Sequence, residues 1–190
     1  MIRRADQFLL IATLLPLCGL SMMAVHEGGH FLCALLTNGQ VTSVVLHPLA
    51  ISRTDVMPNP QPLIVCWGGP ALGCAAPLIL WGICRMLNAR FAFLARFFAG
   101  FCLIANGAYI GFGSFEGVGD AGELLRLGMS PPMLWGFGLL TIPTGFWVWH
   151  GAGADFGFCP HAKALDPAAP KLTAILLIVI VVMELSFGHS

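Results

Sequence analysis

Residues 8–36 read FLLIATLLPLCGLSMMAVHEGGHFLCALL, and the rest of the chain is interpreted from this stretch. It is longer than the roughly 20 apolar residues that a spanning helix needs. Phe8 to Val25 contain no charged residue, and Phe31-Leu32-Cys33-Ala34-Leu35-Leu36 carry the apolar run onward. Between them stands His26-Glu27-Gly28-Gly29-His30. This is a membrane-spanning pattern with ionisable groups inside it. Each such group in hydrocarbon costs at least ~2.5–3.5 kcal/mol, so it marks a functional site by default. The bland alternative is polar packing contact between helices.

The embedded pentapeptide matches H-E-x-x-H. On an α-helix, residues i and i+4 lie on one face, so His26 and His30 can hold one metal ion. Glu27 follows the first ligand and is the candidate general base. Zinc at such a pair acidifies water and polarises a carbonyl, and a neighbouring carboxylate can move the proton. The pattern fixes only three positions, so its weight comes from the apolar setting.

Composition agrees. The chain has 190 residues, 57% hydrophobic and 9% charged, with no net charge. Mean hydropathy is +0.85. A soluble domain is ~25% charged. The expected class is an all-α integral membrane protein, multi-pass in a cell (plasma or inner) membrane, with the bilayer as its surroundings. No basic run suggests nucleic acid. The seven cysteines form an odd set with no C-x-x-C pair, which argues against a disulfide framework or a four-cysteine zinc site. Arg3-Arg4 followed by residues 8–20 and Ser21–Ala24 imitates a cleaved signal peptide. The apolar stretch runs past Ala24, however, so an uncleaved span is expected.

Working outward, Thr37-Asn38-Gly39-Gln40 ends the first span with turn chemistry. The β-branched run 41–46 reads as a strand, and 50–55 as its partner in a small hairpin. Residues 57–62, Met-Pro-Asn-Pro-Gln-Pro, form a stiff linker. Further spans are expected at about 63–87, 91–112, 131–149 and 172–187, five in all. In the second, Gly69 and Gly73 allow a close helix approach, and Pro70 frees a backbone carbonyl. Residues 1–130 form the expected metal-site core, and 131–190 add two helices and a loop.

Catalytic zinc usually takes three protein ligands. The third must come from outside the first span, because position 36, where a soluble His-x-x-Gly-x-x-His extension would place it, is Leu36. Candidates are Glu116, Asp120, Glu123, His47 and His161; the pair Cys159 and His161 is a weaker metal-binding combination. Asp120 is preferred, since Gly119 and the small Ala121-Gly122 permit close backbone approach.

The order of these features resembles the site-2 protease family of intramembrane zinc metallopeptidases. The likeness covers roughly residues 8–127: His26-Glu27-x-x-His30 in a span, a short β segment, Trp67–Leu72 with its Gly-Pro element, then Asn106 and Gly119-Asp120-Ala121. The resemblance implies a three-helix metallopeptidase core. It also implies zinc on His26, His30 and Asp120, Glu27 as base, and Asn106 steadying the substrate backbone. The chain departs from the family in that Asn106 and Asp120 lie fourteen apart without an intervening proline, and Ala121 replaces a glycine.

The expected function is zinc-dependent hydrolysis of a peptide bond in a substrate helix of another membrane protein. The alternative is a non-catalytic metal-binding or partner-binding scaffold. Lys and Arg counting places Arg3, Arg4, Arg85, Arg90, Lys163 and Lys171 on one side, against Arg53 and Arg126. The positive-inside rule then puts the N-terminus in the cytoplasm. The resemblance instead puts the end of the first span toward the cytoplasm.

Overall fold

The computed structural model describes residues 4–158 and 165–187, with side chains up to residue 186. Cys159 and His161 lie outside the described residues. The chain is mostly helical. Its elements in order are α1 (Arg4–Leu36), β1 (Val41–Val45), β2 (Arg53–Val56), α2 (Pro62–Met86), α3 (Ala92–Glu116), α4 (Gly119–Arg126), α5 (Pro131–Trp149) and α6 (Ala168–Phe187).

Four helices, α1, α2, α3 and α6, are long and apolar enough to cross a membrane. At 1.5 Å per residue the 33-residue α1 is about 50 Å long. The 19-residue α5 is not among the four. It carries no charge, but its prolines, glycines and tryptophans dilute its hydropathy. Outward faces are apolar throughout, as at Ile83, Phe112, Leu139 and Ile178, all exposed.

Short-range chemistry sets the helix ends. Pro62 opens α2, where a missing N–H costs nothing. Gly117 closes α3 in the left-handed region at φ 65°, with its N–H on Gly113 O at 2.9 Å. That cap carries α3 four residues past the expected end at 112. The next turn starts α4, which places Asp120 in its first turn.

Packing fixes the directions. Trp135 Nε1 donates to Ser114 Oγ (2.9 Å), and Trp149 Nε1 to Phe97 O (2.8 Å). So α5 runs antiparallel to α3. The hydroxyls of Thr13 and Thr173 meet at 2.6 Å and join α1 to α6. The start of α1, the start of α3, the end of α5 and the approach to α6 gather at one end. There Gln7 Nε2 donates to Phe156 O (3.0 Å), Arg96 Nε to Val148 O (2.7 Å), and Arg90 pairs with Asp166. A buried cluster of Leu10, Leu14, Cys18, Leu94, Phe156 and Ala169 knits this end together.

At the opposite end, Gly29 of α1 meets Gly68 of α2. A Cβ on Gly68 would lie 2.6 Å from Gly29 O, so only glycine permits this crossing. The hairpin lies here too. It pairs Ser43 with Asp55, Val44 with Thr54 and Val45 with Arg53, and its register is irregular between Val41 and Ser43. A hairpin was expected at this place, and its second strand begins three residues later than the sequence suggested.

Candidate metal centre

His26 and His30 face the α2–α3 side of α1, one helical turn apart, and both are 7% exposed. Asp120 arrives from the first turn of α4. Its Oδ2 lies 2.7 Å from His26 Nε2 and 3.2 Å from His30 Nε2. Among the described residues, these three are the one group of potential metal ligands, with donor atoms within 4.8 Å of one another.

The other ring nitrogens are committed. His26 Nδ1 lies 2.7 Å from Asn106 Oδ1, and His30 Nδ1 lies 2.8 Å from Val65 O. The Asn106 amide is oriented by its Nδ2, which donates to Cys102 O at 2.9 Å. Both Nδ1 atoms therefore donate, and both Nε2 atoms turn lone pairs toward the Asp120 carboxylate. A neutral imidazole carries one N–H, so facing lone pairs at these distances require positive charge between them. Protons or a metal ion can supply it. With a proton on each Nε2, burial would still raise the Asp120 carboxyl, but hydrogen bonds from His26 and His30 outweigh it and hold it at about 2.

The donor set suits zinc. Two imidazole nitrogens and a carboxylate oxygen, with each imidazole anchored through its far nitrogen, are typical of catalytic zinc sites. A tetrahedral ion with bonds of about 2.0–2.1 Å sets its donors roughly 3.3 Å apart. The two edges to Asp120, 2.7 and 3.2 Å, would open to reach this spacing, and the wider edge of the set, within 4.8 Å, would close. Room is kept by Gly69 of α2, since a Cβ there would strike the His30 ring and come within 2.7 Å of His26 Nε2.

Asp120 is held by its backbone. Its N–H donates to Tyr109 Oη (3.1 Å), and Cys66 Sγ donates to its carbonyl (3.5 Å). Gly119 sits at φ +56°, and a Cβ there would collide with the Tyr109 hydroxyl. The glycine expected to permit close approach does so against Tyr109.

Glu27 is 4% exposed, and Thr54 of β2 donates to its Oε2 at 2.8 Å. The hairpin thus grips the candidate base. His26, Glu27, His30, Asn106, Tyr109 and Asp120 line one cavity of about 1020 Å³, together with Thr54 and Val65.

The remaining candidates lie elsewhere. Glu116 is exposed at the end of α3. Glu123 borders the cavity but is paired with Arg126 at 2.6 Å. His47 takes the Leu49 N–H at its Nδ1 (3.2 Å). Asn106 is placed against His26, with both ends of its amide engaged inside the protein.

Sequence reasoning passed over Thr54, Tyr109 and the Val65 carbonyl. Tyr109 had a signal: it is the chain's single tyrosine and stands three residues after Asn106, on the same helical face. Comparison of the chain with family models, curated proteins and solved structures finds no match.

Proposed function

We propose that the protein is a membrane-embedded zinc metallopeptidase that hydrolyses a peptide bond in a membrane-protein substrate. The observation that carries the reading is the convergence of His26, His30 and Asp120 beside a buried Glu27. The resemblance to the site-2 protease family points the same way. In this reading α1, α2 and α3 with the α4 turn form the metallopeptidase core.

A zinc ion bound by His26, His30 and Asp120 would polarise the scissile carbonyl and acidify water. Glu27 takes the proton from the attacking water and delivers it to the leaving amine. Thr54 holds the Glu27 carboxylate in place for both transfers. Asn106 and the Val65 carbonyl keep the two imidazoles aimed inward. A helical substrate hides its carbonyls, so it must unwind locally; the cavity of about 1020 Å³ is roomy enough for an extended segment.

We read α5 as the fifth crossing of a multi-pass protein in a plasma or inner membrane. The chain leaves α3 at the metal end and enters α6 at the opposite end. It must therefore cross back, and α5 runs that path against α3.

The test has two parts. Detergent-purified wild type should hold about one zinc per chain, lost in His26→Ala and in Asp120→Ala. A membrane-protein substrate cut by the wild type should stay intact with Glu27→Gln, which keeps its zinc. Zinc binding with no cleavage of any membrane-protein substrate would favour a metal-binding or partner-binding scaffold. No zinc in folded wild type, even after zinc is supplied, would overturn both readings.

A further inference from the structure

Glu184 of α6 is 4% exposed, and neither carboxyl oxygen has a hydrogen-bond partner among the described residues. It lies sixteen residues into α6, about 24 Å along the axis. An α6 that spans a hydrocarbon core of about 30 Å would hold Glu184 inside that core, toward its far face. A buried polar group without a partner is costly, and a native structure that keeps one calls for an explanation.

Glu184 borders a cavity of about 510 Å³ separate from the metal centre. The walls are α1 from Leu14 to Ala24, Phe91 with α3 as far as Phe98, and α6 from Leu172 to Glu184, joined by Leu46 after β1 and Leu80 of α2. They are almost wholly apolar. The polar side chains are Ser21, Thr173 and Glu184, and the Thr173 hydroxyl is already bonded to Thr13. No Lys, Arg or His lines the cavity among the described residues.

Shape narrows the occupant. Leu172 to Glu184 span about 18 Å of helix, the length over which apolar side chains line the cavity. That length and that apolar lining suit one extended hydrocarbon chain. Charge selects its head group: with no cation lining the cavity among the described residues, an ionised Glu184 attracts an ammonium and repels a phosphate or carboxylate.

We infer that this cavity binds a single-chain membrane amine, its hydrocarbon tail between α1, α3 and α6 and its ammonium on Glu184. The inference does not depend on the peptidase reading.

The probes are photoreactive hexadecylamine and the matching alcohol and carboxylic acid, offered to the full-length protein in nanodiscs. The amine should bind at least ten-fold more tightly than the alcohol and label peptides covering residues 14–24 and 172–184. Glu184→Gln should bring the amine down to the level of the alcohol. Ala95→Phe, which narrows the cavity and keeps the carboxyl, should reduce labelling by all three probes, and it serves alone if Glu184→Gln does not fold. Equal binding of the three probes to wild type would overturn the inference. So would amine preference that survives Glu184→Gln, or labelling that survives Ala95→Phe.

Discussion

The side-chain carbonyl of Asn106 accepts a hydrogen bond from His26 Nδ1 at 2.7 Å, across the gap between α3 and α1. This contact fixes the tautomer that turns Nε2 toward Asp120. Partners of this kind typically contribute 10–100-fold to metal affinity. Asn106→Leu should therefore weaken zinc binding by about that factor, measured by competition with a chromophoric chelator. Asn106→Asp keeps an acceptor in place and should retain most of the affinity. Equal loss in both variants would mean that α3 packing, not the bond, is what matters.

Thr54 contacts the proposed base rather than the candidate metal ligands. Its hydroxyl donates to Glu27 Oε2 at 2.8 Å. A hydrogen bond to a charged group contributes about 1.5–3 kcal/mol, and 1.36 kcal/mol is ten-fold in rate. Thr54→Val should lower kcat by about ten-fold or more with zinc content unchanged. Thr54→Ser should restore it. A fall in zinc content with Thr54→Val would show instead that the hairpin supports the ligands.

Gly69 offers a steric test within one helix. A Cβ there meets both histidine rings, whereas a Cβ on Gly82 of the same helix meets nothing within 4 Å. Alanine favours helix over glycine by about 1 kcal/mol. Gly82→Ala should keep zinc and unfold at the same or a slightly higher temperature. Gly69→Ala should fold but lose zinc, as read by metal analysis beside thermal unfolding. Full zinc in Gly69→Ala would mean that the ring positions are more adjustable than this packing implies.

The legible part of the site was carried by side chains with few alternative uses in an apolar span. His26, Glu27 and His30 stood out because charge there is costly. Asp120 stood out because Gly119 and Ala121-Gly122 surround it with space. The unread part acts through backbone or through tertiary contact. Val65 contributes a carbonyl, which leaves no mark in its side chain. Pro70 signalled a freed carbonyl in α2, but by the i to i+4 rule that is the carbonyl of Cys66; His30 uses its neighbour's. Thr54 looks like an ordinary strand residue until the hairpin folds onto α1. The expected span ending at 112 fell short because the polar and glycine-rich residues from Gly113 dilute the apolar pattern, while the left-handed Gly117 is the true stop.

Orientation follows from how the helices gather. Arg4, Arg85, Arg90 and Arg96 cluster toward the end opposite the metal centre, against Arg53 and Arg126 beside it. The positive-inside rule predicts that the basic end faces the cytoplasm. Reporter fusions after Asn88 and Ala154 should then be active as cytoplasmic reporters, and those after Pro60 and Met129 as exported ones. Met129 and Ala154 on the same side would remove α5 as a crossing. Alternation with every assignment reversed would keep five crossings and turn the metal centre toward the cytoplasm, as the family resemblance implies. The centre lies more than twenty residues along α1 from Arg4, about 33 Å, near the face opposite the basic end. The same fusions therefore decide from which side of the membrane water and an unwound substrate reach Glu27.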